Sequence, residues 1–449
     1  MRQQETTKEN VNKLIEFRQA VYEHGMVALR DALFDLLDAL MCEGAVSSFV
    51  RLSQSERFMR KWPSLYAAVE DGAIDSHWLR TYLAGQVPQT GICVFPLDGS
   101  SWARPRSRVL DDLQYVYQAS SDVNGGTITV GYPYSLLEWC AEPHSSWSLP
   151  IDVQRVPSTQ TAQEVGAAQI KALAQARSAC LEALDIVAVD GKYGNAPFLR
   201  SVKGLRSGVA ARLRCDRVLY GPPPPHHPHQ KGRPRVHGDR FAFKEPETWD
   251  TPVEVIELED EHWGKVRLER WAQLHEKKGA DVPYDVLRAC VHLEREKPPV
   301  ALWLAWLPPE QVPVGVTLTA ETIWRAYIAR WPVEAGIHFR KETLGWTLPR
   351  FHTKEAGDRW TELTALACWM VFLARSIVED TPFPWQKAQL HLTPQRVQQS
   401  IRPIFALIGS PARPPKIRGI ALGWPRGRQR TPKPHYSVVK KTPAAVKTA

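Results

Sequence analysis

Four side chains suited to binding metal ions and phosphates recur at short spacing late in the chain: Tyr327, Arg330, Glu334 and Lys341. On one α-helix, at about 100° per residue, they would fall within roughly 60° of one another. A carboxylate beside two cations and a phenol suits a site that holds a divalent metal and a phosphate together. A solvated, salt-bridged helix face is the plainer interpretation, although neighbouring aromatic residues indicate packing. Pro332 inside the segment removes a backbone hydrogen bond and is expected to bend the helix.

Two further acids follow apolar runs upstream. Asp98 ends the run that begins at Ile92, and Asp190 ends the run that begins at Ile186. Two acids on adjacent strand ends and a third on a helix can chelate two divalent cations about 3.5–4 Å apart, a pair that activates an attacking hydroxyl on a phosphodiester. Each aspartate precedes a glycine, so a simple turn role is an open alternative for either one alone.

The spacing Tyr-x2-Arg-x3-Glu-x6-Lys resembles the YREK signature of bacterial insertion-sequence transposases of the DDE type. Leu97-Asp98-Gly99 and Val187-Ala-Val-Asp190-Gly are similar to the two catalytic-aspartate strands of that family. The resemblance covers about residues 90 to 375. It implies an RNase H-like core in which Asp98, Asp190 and Glu334 are catalytic and bind Mg²⁺ or Mn²⁺, as two ions. It also implies that Tyr327, Arg330 and Lys341 contact the DNA backbone of the transposon ends.

The net charge of +9 is concentrated at the C-terminal end of the chain. After Asp380 there is no Asp or Glu but there are thirteen Lys and Arg residues, so the preceding residues are slightly acidic overall. Such a segment can bind a polyanion. Solvated disorder is the alternative.

Two arginine clusters are candidates for DNA contact. Arg233 and Arg235 lie in a Gly-Arg-Pro-Arg run that could enter an A·T-rich minor groove. Arg426, Arg428 and Arg430 follow Trp424, a combination that suits contact with a nucleic-acid backbone. An exposed loop without a partner is the alternative for the first cluster. The nearby histidines around His227 suggest an exposed loop more than a zinc site.

The pattern predicts an α/β protein with an RNase H-like mixed sheet flanked by helices. Three short strands, a helix near 161–183, a strand, a helix and a strand follow one another. The predicted divisions are a helical N-terminal domain, the first part of the catalytic core, a largely β insertion, the second part of the core with the YREK helix, and a basic C-terminal segment: 1–90, 91–214, 215–300, 301–380 and 381–449. The N-terminal domain could bind DNA or cap the core, and both interpretations stay open.

The seven cysteines include no Cys-x-x-Cys pair, which argues for a reducing compartment and against a disulfide scaffold. The first residues are too polar for a signal peptide, and the longest uncharged stretch, 363–374, is too short to span a bilayer. We therefore expect a cytoplasmic, nucleoid-associated protein without a membrane partner.

The function expected from these residues is DNA transposition. The protein would bind the terminal inverted repeats of its own element, cut them, and join the 3′ ends to target DNA, as a homodimer because two ends require two active sites. Two alternatives stay open: a domesticated DNA-binding protein that no longer cuts, and a metal-dependent endonuclease without a joining step.

Overall fold

The computed structural model describes residues 2–117, 127–142, 144–225, 233–292, 300–416, 427, 429 and 432–440. The first part of the chain is mostly helical. Its elements are α1 (Arg2–Ala20), β1 (Met26–Ala28), α2 (Arg30–Cys42), α3 (Trp62–Asp71), β2 (Ala73–Ile74) and α4 (Ser76–Gly85).

Strands dominate the next part of the chain, with two helices between them. The elements are β3 (Thr90–Ala103), β4 (Gln114–Tyr117), β5 (Ile128–Cys140), β6 (Ser148–Arg155), α5 (Ala162–Ala176), β7 (Glu182–Val189), α6 (Ala196–Val202) and β8 (Gly208–Leu213).

A β-rich stretch and then a helical stretch complete the chain. The strands are β9 (Val218–Tyr220), β10 (Arg240–Ala242), β11 (Glu254–Asp260), β12 (Gly264–Leu274), β13 (Tyr284–His292) and β14 (Val300–Leu307). The helices are α7 (Ala320–Ile328), α8 (Pro332–His338), α9 (Lys354–Ala374), α10 (Pro394–Ser400) and α11 (Arg402–Ile408), with a π-helical turn at Phe339–Thr343 after α8.

One mixed sheet organises the molecule. Its central strands run in the order β6-β5-β3-β7-β8, in which β3, β7 and β8 are parallel while β5 and β6 are antiparallel to their neighbours. The short strand β4 pairs with the start of β5. Helices cover both faces of this sheet. The predicted fold class, an RNase H-like mixed sheet flanked by helices, is confirmed.

The strands of the predicted insertion extend the same sheet. Strands β11, β12, β13 and β14 pair in sequence order, and β14 is antiparallel to β8. The stretch that begins at Val300 thus joins the core sheet through its pairing with β8. Strands β9 and β10 form a separate two-stranded sheet.

Strand β7 is buried on both faces, as expected for a central parallel strand made of apolar residues. Ile186 and Ala188 pack in a cluster with Trp324 of α7. Val187 and Val189 point to the other face and belong to the larger core, which includes residues of α2 and α9. The alternation of side chains along the strand thus assigns α7 to one face of the sheet.

Helices from the two ends of the chain share one layer. Arg18 of α1 is buried and pairs with Asp38 of α2 at 2.5 Å, and it also donates to the carbonyl oxygen of Gly409 after α11. Helix α9 packs against α1, α2, α3 and α10. None of the helices among the described residues is long and apolar enough to cross a membrane.

Two local expectations differ from the structure. Helix α5 begins at a capping box of Thr161 and Glu164 but ends at Ala176, because Arg177 leaves the helix to pair with Asp185 of β7. The strand β6 was not predicted, since Pro150 and Asp152 interrupt its apolar pattern. Both residues are tolerated because β6 pairs with β5 on one side.

We predict that Glu362→Gln stabilises the protein at neutral and alkaline pH. Burial, and then the nearby Asp358 and Asp152, raise the pKa of Glu362 from 4.5 to about 8. Between those values the folded state binds more protons than the unfolded state, so stability falls as pH rises. The gain for the glutamine variant should be absent below pH 4.5, grow to about 2–4 kcal/mol at pH 8, and stay constant above it.

Urea unfolding at a series of pH values measures this gain. Glu355→Gln, an exposed position on the same helix, is the control and should change the free energy of unfolding by less than about 0.5 kcal/mol throughout. A pH-independent gain at Glu362 would contradict the prediction.

Candidate active site

Asp98 and Asp190 lie side by side at one edge of the sheet. Strands β3 and β7 are parallel, and Leu97 pairs with Val189, so the next residue of each strand is the aspartate. Asp98 Oδ1 accepts a hydrogen bond from the Gly99 N–H at 2.7 Å, and Asp190 Oδ1 accepts one from the Lys192 N–H at 2.9 Å. The parallel pairing therefore brings together the two acids that the sequence separates by more than ninety residues.

The surroundings of Asp98 combine burial with charges of both signs. Burial raises the pKa of the Asp98 carboxyl most, and the neighbouring Asp190 raises it further. The Gly99 N–H, Arg330 and Lys192 oppose this rise. Arg330 Nη1 is 3.9 Å from Asp98 Oδ2, and its side chain is only 12% exposed. Because the two neighbouring carboxylates repel each other, an additional cation between or beside them would stabilise their ionised forms.

The helix expected to carry the YREK residues is divided. Helix α7 ends at Ile328 and α8 begins at Pro332, which has no N–H for a helical hydrogen bond. Across the junction, Arg330, Trp331 and Glu334 donate to carbonyl groups three residues earlier. These bonds form a tight turn of the 3₁₀ type. The expectation of one continuous helical face is wrong for this reason.

The four YREK residues consequently lie in different environments. Tyr327 is buried at 4% exposure, and the Arg330 guanidinium lies 5.3 Å from the centre of its ring. Glu334 is exposed in the first turn of α8. Lys341 is half-buried in the π-helical turn, where burial and then Arg340 lower its pKa. Of these four, only Arg330 contacts an aspartate of the sheet edge through a bond that the described residues show.

A divalent cation fits the residues at the sheet edge in part. Asp98 and Asp190 supply hard oxygen donors at adjacent positions, which Mg²⁺ and Mn²⁺ prefer. Helix α8, which carries Glu334, packs against β3, β5 and β6 beside them. Among the described residues, however, no three His, Cys, Asp or Glu side chains are close enough together to hold a metal ion. The assignment of Asp98, Asp190 and Glu334 as a three-ligand set stays a prediction.

The remaining candidate residues lie in the loop between β9 and β10 or outside the described residues. Arg233 and Arg235 are exposed between β9 and β10, in a loop whose base is closed by hydrogen bonds between Gly221 and residues 238–239. Arg426, Arg428 and Arg430 are outside the described residues, as is the histidine cluster 226–229. Their predicted contacts with DNA stay predictions.

Sequence reasoning missed Arg212. Val189 of β7 pairs with Ala211 of β8, so Arg212 lies in line with Asp98 and Asp190 on a third parallel strand. Arg212 is exposed. It could not be found from spacing alone, because its position depends on the register of two parallel strands.

Sequence reasoning also missed a buried ion pair behind the site. Glu138 of β5 and Arg340 are both fully buried and bonded to each other. Burial raises the pKa of Glu138, which Arg340 and the Ser148 hydroxyl oppose, and the charge of Asp98 raises it further. The signal was a single acid inside the apolar run Leu136–Cys140, since such an acid requires a partner.

The chain matches the model of a known protein family. The model of the DDE superfamily endonucleases matches residues 25–275, more than half of the chain. The chain belongs to this family. The matched region contains both aspartates of the sheet edge and ends before Glu334. A comparison with curated proteins gave no match. Membership in the DDE superfamily indicates a nuclease-type enzyme that acts on DNA with divalent metal ions.

We predict that Tyr327→Phe stabilises this DDE-family protein. The Tyr327 hydroxyl is buried and has no hydrogen-bond partner among the described residues. Its removal should therefore raise the free energy of unfolding by about 1–3 kcal/mol, because a buried hydroxyl without a partner carries a desolvation cost. The matched control is Tyr134→Phe, which removes a hydroxyl that donates to Asp358 at 2.9 Å and should cost about 1–3 kcal/mol. Equal losses in the two variants, measured by urea unfolding, would show that the Tyr327 hydroxyl is bonded.

Proposed function

We propose that the protein is a DNA transposase of the bacterial insertion-sequence type. The observation that carries the proposal is the adjacent pair Asp98–Asp190 with the Arg330 guanidinium 3.9 Å from Asp98. Arg330 is a member of the YREK spacing, so one residue of the signature lies beside the pair of aspartates. The reaction is cleavage at the ends of the element followed by joining of the 3′ ends to target DNA.

Divalent cations, Mg²⁺ or Mn²⁺ as a pair, would supply the activation of the attacking hydroxyl and the stabilisation of the leaving oxygen. Asp98 and Asp190 would hold them at the sheet edge, and Glu334 would complete the ligand set from α8. Arg330 and Arg212 flank the carboxylates and are suited to bind the phosphates on either side of the cut. Lys341 would fix the position of the same strand, and Tyr327, whose ring centre lies 5.3 Å from the Arg330 guanidinium, would support Arg330.

DNA is held by surfaces outside the carboxylate site as well. The exposed Arg233 and Arg235 suit contact with the backbone or the minor groove, and the acid-free segment after Asp380, with Arg426, Arg428 and Arg430, suits contact with phosphates. Two ends joined in one reaction require two active sites, so we propose a homodimer on DNA. A protein with these roles would act in the cytoplasm, in association with the nucleoid.

Cleavage of a duplex that carries the flanking ends of the element tests the proposal. We expect metal-dependent cuts at the element ends, and we expect Asp98→Asn and Glu334→Gln to lower the cleavage rate by at least about a thousandfold because each removes a metal ligand. Affinity for the end DNA should change by less than about threefold. Glu342→Gln, an exposed acid eight residues after Glu334, is the matched control and should cut normally.

Three outcomes would separate this function from its alternatives. Normal cutting by Glu334→Gln would remove Glu334 from the site. Tight binding without cutting in any divalent metal would identify a DNA-binding protein derived from a transposase. The description of the matching family names endonucleases. Cutting without transfer of the 3′ ends to a second duplex would therefore identify a metal-dependent endonuclease.

We predict that replacing both Arg233 and Arg235 by Ala weakens DNA binding through the salt-dependent part of the affinity. The slope of the logarithm of the association constant against the logarithm of salt concentration should become shallower by about two, because two phosphate contacts are lost. Arg200→Ala, which removes an exposed arginine already paired with Asp281, is the control and should leave the slope unchanged. An unchanged slope in the double variant would exclude this loop from the DNA contact.

A further inference from the structure

A buried carboxylate lies under helix α8. The Glu138 side chain is fully buried in β5, where one oxygen is bonded to Arg340 and the other accepts a hydrogen bond from the Ser148 hydroxyl of β6. Arg340 lies in the π-helical turn that follows α8 and is also fully buried. The pair therefore ties the end of α8 to the sheet.

The middle of α8 is seated on the same carboxylate. A Cβ atom at Gly336 would lie 3.2 Å from Glu138 Oε2, 3.1 Å from Ser148 Cβ and 3.4 Å from the Ser148 carbonyl oxygen. The helix thus lies against β5 and β6 at a distance that only glycine allows without displacement. Gly336 lies two residues after Glu334, and Arg340 lies six residues after Glu334. Both attachments act on the short segment that carries the predicted third acid.

The attachment point lies beside the two aspartates of the sheet edge. Leu136 pairs with Asp98 across β5 and β3, and Glu138 is two residues further along β5, so its side chain points to the same face as Asp98. The negative charge of Asp98 also raises the pKa of the Glu138 carboxyl. The contact that fixes α8 is therefore made next to the carboxylates that α8 must face.

A second buried ion pair shows what an ordinary structural pair looks like in this chain. Arg177 and Asp185 are also fully buried, and Arg177 donates further bonds to the carbonyl groups of Ala84, Val87 and Pro88. Arg340 instead leaves Nε and Nη1 without a hydrogen-bond partner among the described residues. A buried arginine with incomplete bonding contributes little to stability, which points to a role in placing the helix.

We propose that Glu138, Arg340 and Gly336 are positioning residues that fix α8 so that Glu334 faces the two aspartates. Glu138 is the fixed point, Arg340 holds the C-terminal end of the segment, and Gly336 allows the close approach. The inference deepens the proposed function and rests on its assignment of Glu334 as a metal ligand. It adds residues that touch neither DNA nor metal.

Two variants test the proposal by different physical changes. Arg340→Lys keeps the charge but loses the planar fork, and Gly336→Ala keeps every charge but inserts a methyl group against Glu138 and Ser148. In both we expect the Mg²⁺ concentration for half-maximal cleavage to rise by about tenfold or more, the effect usual for residues that orient metal ligands. The Michaelis constant for the end DNA should stay within about threefold of the wild type.

A second readout does not depend on activity. Binding of Mn²⁺ to the DNA-free protein is measured from the decrease in the electron paramagnetic resonance signal of free Mn²⁺. We expect this binding to weaken in both variants by a factor similar to the rise in the Mg²⁺ requirement. Asp98→Asn shows which part of the binding belongs to this site. The melting temperature of each variant is measured in parallel, and assays are run well below it.

Matched controls distinguish positioning from a loss of stability. Asp185→Asn disrupts the ion pair with Arg177 on the other face of the sheet, and Gly85→Ala adds a methyl group at a helical glycine with open space around it. We expect the first to lower the melting temperature and neither to change the metal requirement. If Arg340→Lys and Gly336→Ala behave like these controls, the inference is overturned. If the wild type cuts no DNA but Mn²⁺ binding weakens in both variants, the proposed function fails and the positioning role stands.

Discussion

The parallel register of β3 and β7 is the constraint on which the site depends. It puts two carboxylates at the same level of the sheet, where burial and mutual repulsion raise the pKa of Asp98. Such an arrangement is unfavourable unless positive charge is close. Arg330, in the turn between α7 and α8, supplies part of this positive charge, and a divalent cation would supply more. The residues that cover this face of the sheet must therefore supply positive charge to the two carboxylates.

Pro332 allows one segment to meet two different requirements. A continuous helix would have kept Tyr327 and Glu334 on one stripe, with similar exposure. The turn before Pro332 instead leaves Tyr327 in the core over β7 and β8, turns Arg330 toward Asp98, and leaves Glu334 exposed on a separate short helix. Such a short helix has little stability of its own. Its position must come from contacts with the sheet, which is where the buried pair of Glu138 and Arg340 acts.

The sequence predicts most of the fold because its central strands have simple patterns. The run that ends at Asp190 is apolar throughout and is buried on both faces, and the stretch from Val300 is similar and returns to β8. Strand β6 escapes prediction because Pro150 and Asp152 break its pattern. Arg212 and Glu138 escape for another reason. Their relation to Asp98 is set by strand register and by a partner two hundred residues away, neither of which local spacing contains.

Contacts between distant parts of the chain make one site out of two segments. The region that matches the DDE superfamily ends at residue 275 and contains Asp98, Asp190 and Glu138, whereas Arg330 and Arg340 lie beyond it. Strands β11 to β14 extend the sheet, so α8 comes late in the chain and still packs against β3. The ion pairs that cross between the segments include Arg330 with Asp98 and Arg340 with Glu138. One pair lies at the carboxylates and the other beneath α8, and a helix held at both points has a defined distance from the sheet edge. The position of an exposed acid such as Glu334 is thereby determined by residues that are themselves buried.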